Sequence, residues 1–89
     1  MIKTKVIIIN KLGLHARAAS KLVTTASQFS SHVSIGKDEQ MADGKNIMSV
    51  MMLAACKGTE LNLEIEGQDQ DQACQAIIDL VSRRFDESE

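Results

Sequence analysis

His15 and Arg17 stand two positions apart in Asn10-Lys11-Leu12-Gly13-Leu14-His15-Ala16-Arg17-Ala18-Ala19, and together they have the makings of an anion site. The stretch joins an apolar, β-branched run (Val6, Ile7, Ile8, Ile9) to a segment of helical periodicity, with Gly13 marking the turn and His15 where the helix begins. At such a junction an imidazole, fresh backbone N–H donors and a guanidinium reach one point in space, which suits a phosphoryl group above all. Neutral imidazole is a nucleophile that leaves easily again. One ring nitrogen is phosphorylated while the other is oriented by a hydrogen bond. N–H groups of a first helical turn stabilise negative charge by roughly 0.3–1 kcal/mol, up to about 2 kcal/mol when partly buried. Arg17 adds a fork of donors that lysine lacks. Taken alone, a histidine at a helix start is more often a surface residue, and His32 has only that reading.

The elements that must hold this corner follow from periodicity. Residues 3–9 read as a first strand, with Thr4, Val6 and Ile8 pointing one way and Lys3, Lys5, Ile7 and Ile9 the other. A first helix spans residues 16–27, burying Ala19, Leu22, Val23, Ala26 and then Phe29. A short strand covers residues 30–35, Gly36-Lys37-Asp38 is a turn, and residues 39–42 form a weak edge strand. Asn46 caps a second, short helix running to about residue 54, which Lys57-Gly58 ends. Residues 60–66 alternate three apolar with four polar side chains and so make a strand with one buried face. Paired antiparallel with the first strand, it places Glu64 and Glu66 opposite Lys3 and Lys5. Asp69 and Gln72 are spaced as a capping box for a third helix striped by Ala73, Ala76, Ile77, Leu80 and Val81. Arg83 and Arg84 complement that helix's dipole, and residues 86–89 fray. One-sided strands imply an α+β fold: a four-stranded antiparallel sheet with three helices on one face, in the order β-α-β-β-α-β-α. Pattern leaves the strand order open.

Ile47, Met48 and Met51 are the second feature. A methionine stripe is as readily core as surface. Yet Val50, Leu53 and Ala54 take the core-facing side of so short a helix, which leaves a deformable apolar patch suited to several partners.

At 89 residues the chain suffices for a single domain spanning 1–89, with a modest core. Net charge is −2 without a lysine or arginine cluster, and the only aromatics are Phe29 and Phe85, which argues against nucleic-acid binding. Cys56 and Cys74 form no C-x-x-C pair and have no histidine near them in sequence, so neither zinc nor a disulfide scaffold is supported; two buried, reduced thiols are expected. No apolar run is long enough to span a bilayer and none precedes a signal-cleavage pattern. A cytoplasmic protein without membrane insertion is expected.

The whole pattern resembles the histidine phosphocarrier family, the HPr-like proteins of bacterial phosphotransferase systems. Gly13-Leu14-His15-Ala16-Arg17 matches the family's active-site signature. Lys45-Asn46-Ile47-Met48-Ser49-Val50-Met51-Met52-Leu53 followed by Lys57-Gly58 resembles its second-helix signature. The likeness implies an open-faced β-sandwich in which His15 is phosphorylated on Nδ1, Arg17 stabilises the phosphoryl group, and Ala16 and Arg17 offer backbone N–H donors. Ser20, Thr24, Ile47, Met48 and Met51 would form one docking surface for an enzyme I-type donor and an enzyme IIA-type acceptor. It implies a transferase-like monomer with no cofactor and no metal. Two residues depart from the common pattern. Ala18 replaces the usual proline, which loosens the corner slightly and adds a donor. Asn46 stands where sugar-branch carriers hold a regulatory serine, so the chain is more similar to the nitrogen-branch carriers (NPr). The alternatives are a sugar-branch HPr carrier and an interaction module, using the Met-rich face, whose His15 is never modified.

Overall fold

Strand β1 (Ile2–Ile7), helix α1 (Ala16–Ser27), strands β2 (His32–Lys37) and β3 (Gln40–Asp43), helix α2 (Ile47–Met52), strand β4 (Glu60–Glu66) and helix α3 (Gln70–Ser82) follow one another along the chain. They are seen in a computed structural model that describes residues 1–37 and 39–89. Alternation in β4 sends Leu61, Leu63 and Ile65 to one face, where they are fully buried beside Val6 of β1 and Val33 and Ile35 of β2. The sheet order is β1-β4-β2-β3 and every neighbouring pair is antiparallel. Helix α1 contributes Ala18, Ala19, Leu22 and Ala26 to the same core, α2 contributes Val50, and α3 contributes Ala73, Cys74, Ile77, Leu80 and Val81. Burying each large aliphatic side chain stabilises the fold by about 1.5–3 kcal/mol. The opposite face of the sheet carries Lys3, Lys5 and Glu64 and is left open. Among the described residues no helix is long and apolar enough to cross a membrane.

Several local expectations give way to tertiary pairing. Strand β1 stops at Ile7 rather than residue 9, because its partner β4 begins at Glu60 opposite Ile7; beyond it Ile8 still donates to the Thr59 carbonyl at 2.9 Å. Glu64 does face Lys3, but Lys5 faces Asn62 and pairs with Glu60 at 3.4 Å, while Glu66 takes the N-terminal ammonium at 3.0 Å. Strand β2 starts at His32 and runs on through Gly36 and Lys37, which pair with Met41 and Gln40 instead of turning. Asp38, placed in that turn from the sequence, lies outside the described residues.

Asn46 caps α2 as expected, accepting from the Ser49 N–H at 3.1 Å. The helix closes at Met52, earlier than Lys57-Gly58. Its last turn tightens to bonds from Leu53 to Val50 and from Ala54 to Met51. Ala54 then adopts φ +50 and is exposed, not core, and Ala55 is buried in its place. Cys56, expected inside, is exposed in the following turn, whereas Cys74 is buried and its thiol pKa is pushed up by that burial. Arg83 and Arg84 lie beyond the last turn of α3, and the Arg83 Nε donates to Asp86 at 3.0 Å.

The Asp69–Gln72 capping box does not form. The Asp69 carboxylate makes no cap bond; it accepts from the backbone N–H groups of Ser30 and Ser31, both at 2.9 Å, and from the Ser31 hydroxyl. Three donors from the loop before β2 outcompete one helix N–H. They depress the Asp69 pKa from 3.8 to about 2, the Ser31 hydroxyl acting most strongly. A carboxylate whose folded pKa is depressed stabilises above its unfolded pKa and loses that contribution as pH falls through the folded value. The melting temperature is therefore expected to fall between about pH 4 and about pH 2, and Asp69→Asn to flatten that decline, as read by thermal melts across the range.

Candidate functional site

The corner between β1 and α1 is shaped by backbone closeness. Gly13 has φ +68, and a Cβ there would meet the Ala55 carbonyl oxygen at 2.4 Å. Leu14 donates to that same oxygen at 2.8 Å, which ties the approach to α1 onto the segment leaving α2. His15 is the N-cap of α1, extended at φ −71 and ψ 177, and its carbonyl accepts the first helical bond from Ala19 at 2.8 Å. The N–H groups of Ala16, Arg17 and Ala18 precede that bond and have no intrahelical partner. The His15 side chain is 29% exposed.

Residues 86–89, expected to fray, instead return to this corner. Arg84, Phe85 and Asp86 all adopt left-handed backbone angles (φ 58, 53 and 64), which reverses the chain after α3. Such angles cost about 1–2 kcal/mol per non-glycine residue. Complete burial of Phe85 offsets that cost, and Lys21 donates to the Phe85 carbonyl at 2.9 Å. Lys11 N–H then holds the Glu89 carbonyl at 2.7 Å. Between these ties the Glu87 carboxylate lies against the imidazole, its Oε2 bonded to His15 Nε2. Its Oε1 accepts from Asn10 Nδ2 at 2.9 Å, and Asn10 Nδ2 also donates to the Gly13 carbonyl at 2.8 Å. Asn10 is fully buried, with Oδ1 lacking a hydrogen-bond partner among the described residues. Burial pushes the Glu87 carboxyl up, but hydrogen bonds from Asn10 and His15 and the charges of His15 and Arg17 outweigh it, so its pKa lies below the ordinary carboxylate value. His15 Nδ1 has no hydrogen-bond partner among the described residues.

A cleft of about 500 Å³ opens beside these groups, lined by Lys11, Leu12, Arg17, Asp86, Glu87, Ser88 and Glu89. Glu87, Asn10 and Phe85 escaped sequence reasoning. One signal was available: Phe85, one of two aromatics in the chain, sits in a tail otherwise fit only for solvent.

The remaining sequence-derived residues fall into two sets. Ala16, Arg17, Ser20 and Thr24 are exposed along α1, and Ser20 and Thr24 border a groove toward Leu80 and Arg83 at the end of α3. Ile47, Met48 and Met51 are exposed on α2, Met48 most (64%), with Met52 beside them (69%). Helices α1 and α2 pack on each other. Among the described residues no group of three or more His, Cys, Asp or Glu side chains is placed to hold a metal ion.

A partly buried histidine at a helix N-terminus, on an open-faced α+β sandwich, defines a class of small anion-handling domain. Known proteins narrow it. The family model described as "PTS HPr component phosphorylation site" matches residues 2–83. The phosphocarrier protein HPr of Pseudomonas aeruginosa is 52% identical over 86 residues, 96% of each chain. That of Neisseria meningitidis serogroup A is 51% identical over 89 residues, the whole of both. The crystal structure of HPr-C-His from Thermoanaerobacter tengcongensis superposes with a TM-score of 0.95 at 39% identity, covering both chains completely. The chain belongs to the HPr family of phosphotransferase-system phosphocarriers.

Proposed function

We propose that this chain accepts a phosphoryl group on His15 Nδ1 from an enzyme I-type donor and passes it to an enzyme IIA-type acceptor. It does so as a monomeric, cytoplasmic carrier whose single domain spans residues 1–89. The observation that carries the reading is the state of the ring on the N-cap residue of α1: Nε2 is engaged by Glu87, while Nδ1 has no hydrogen-bond partner among the described residues. Nδ1 attacks phosphorus, and the bond from phosphorus to the donor breaks with its electron pair returning to the donor. The N–H groups of Ala16 and Arg17 and the Arg17 guanidinium compensate the charge on the phosphoryl oxygens. In the reverse sense, the acceptor's nucleophile takes phosphorus and the Nδ1–P pair returns to the ring. The exposed Ile47, Met48 and Met51, with Ser20 and Thr24, supply the docking surface for both partners. Asn46 supports the nitrogen branch: it caps α2 through its carboxamide and has no hydroxyl to be phosphorylated.

Incubation with purified, phosphorylated enzyme I-type donors of the nitrogen and sugar branches, read by intact mass, tests this. One phosphoryl group is expected to be added faster by the nitrogen-branch donor, labile to acid and stable to base. Its appearance in His15→Ala would overturn the site, and preference for the sugar-branch donor would overturn the branch. In the same assay, changing Met48 and Met51 together to glutamate is expected to weaken docking while changing stability by only about 0.5 kcal/mol per site.

A further inference from the structure

The Glu87 carboxylate has a role beyond holding the tail in place. We propose that Glu87 is a positioning residue for phosphoryl transfer, set by Asn10, which fixes the His15 tautomer with Nε2 protonated and Nδ1 free to attack. The inference rests on the phosphocarrier reading of His15.

The donor inventory decides the tautomer. Asn10 Nδ2 has two hydrogens, one on the Gly13 carbonyl and one on Glu87 Oε1. The other carboxylate oxygen, Oε2, faces His15 Nε2, and an ionised carboxylate only accepts. The proton between them therefore belongs to Nε2, and the Nδ1 lone pair is exposed. When Nδ1 bonds to phosphorus the ring gains a positive charge and keeps its Nε2 proton. Glu87 then faces an imidazolium, and its negative charge stabilises that intermediate. On transfer to the acceptor the Nδ1–P pair returns to Nδ1 and the ring is neutral again, with the Nε2 proton never leaving. The logic is that of a buried carboxylate orienting a catalytic histidine in a serine protease. Here the carboxylate comes from the end of the chain, 72 residues away from His15.

Glutamine at position 87 separates this role from mere packing. In Glu87→Gln, Asn10 Nδ2 forces the amide oxygen toward itself, because the alternative sets two N–H donors against each other. The amide NH2 then points at His15 Nε2, which must accept, and the proton moves to Nδ1, where it blocks attack. The isosteric variant is thus expected to be worse than Glu87→Ala, the reverse of what a structural role gives.

The experiment compares wild type, Glu87→Ala and Glu87→Gln by 15N chemical shifts of the His15 ring at about pH 8, where free imidazole is neutral, and by single-turnover transfer from the phosphorylated donor. Alanine is expected to slow transfer by about 10–100-fold, as loss of an orienting partner does elsewhere. Glutamine is expected to slow it further, toward the roughly 10⁴-fold loss that a wrong tautomer costs a serine-protease histidine, and to show Nδ1–H in the spectrum. Glu87→Gln transferring at least as fast as Glu87→Ala, or keeping Nε2–H, would overturn the proposal. The ring spectra report on Glu87 without any transfer, whereas failure of wild-type His15 to take up phosphate strikes the phosphocarrier reading itself.

Discussion

Arg17→Ala is expected to slow phosphoryl transfer through His15 by about 10²–10³-fold, the loss typical when one donor to a developing oxyanion is removed. Arg17 is exposed on the first turn of α1 and borders the cleft beside Glu87. Its guanidinium makes no ion pair among the described residues, so it is available to a phosphoryl group. The same exposure means that its loss opens no cavity, and the melting temperature should stay within about 3 °C of wild type. Arg17→Lys should recover part of the rate, because lysine restores charge without the planar fork. Single-turnover transfer and thermal melts on the same preparations check both halves. A wild-type rate in Arg17→Ala would mean that the N–H groups of Ala16 and its neighbours carry the charge alone.

Phe85→Ala is expected to have the largest effect on stability. Phe85 is completely buried at the end of α3, and truncating a buried phenylalanine costs about 3–5 kcal/mol. For a domain of this size that is a fall of about 12–40 °C in melting temperature. The effect should not stop at the core. The left-handed turn at Arg84, Phe85 and Asp86 is intrinsically unfavourable, and without the ring nothing comparable offsets it. The tail should then detach, releasing Glu87 from His15 and speeding amide exchange at Lys11, whose N–H holds Glu89. Thermal melts and hydrogen exchange measure the two parts. A melting temperature within about 3 °C of wild type would mean that the hydrogen bonds of Lys21 and Lys11, not the ring, hold the tail.

These two residues mark how far local pattern reaches in this chain. The seven-residue alternation of Glu60–Glu66 and the helical spacing of Leu22 and Ala26 were readable because backbone geometry sets the direction of each side chain from its neighbours. The same holds for the start of α1 at His15, the Asn46 cap and the exposure of Met48 and Met51, each settled within one or two turns of chain. Element order and one-sided strands were enough for an antiparallel α+β sandwich, and the motif around His15 together with the stretch from Lys45 to Gly58 was enough for a family resemblance.

Distant pairings had no such local trace. The order β1-β4-β2-β3 joins strands far apart in sequence, and several registers would satisfy the same alternation. Asp69 is spaced to cap a helix, yet it bonds Ser30 and Ser31, nearly forty residues earlier, because folding brings three donors to it at once. Residues 86–89 look like a polar tail until Phe85 finds the core, and only then does Glu87 reach Asn10 and His15. A hydrogen bond between groups more than seventy positions apart depends on the whole intervening chain being folded. The proposed nucleophile could thus be picked out from its neighbours in sequence, whereas the carboxylate that contacts it is placed by packing.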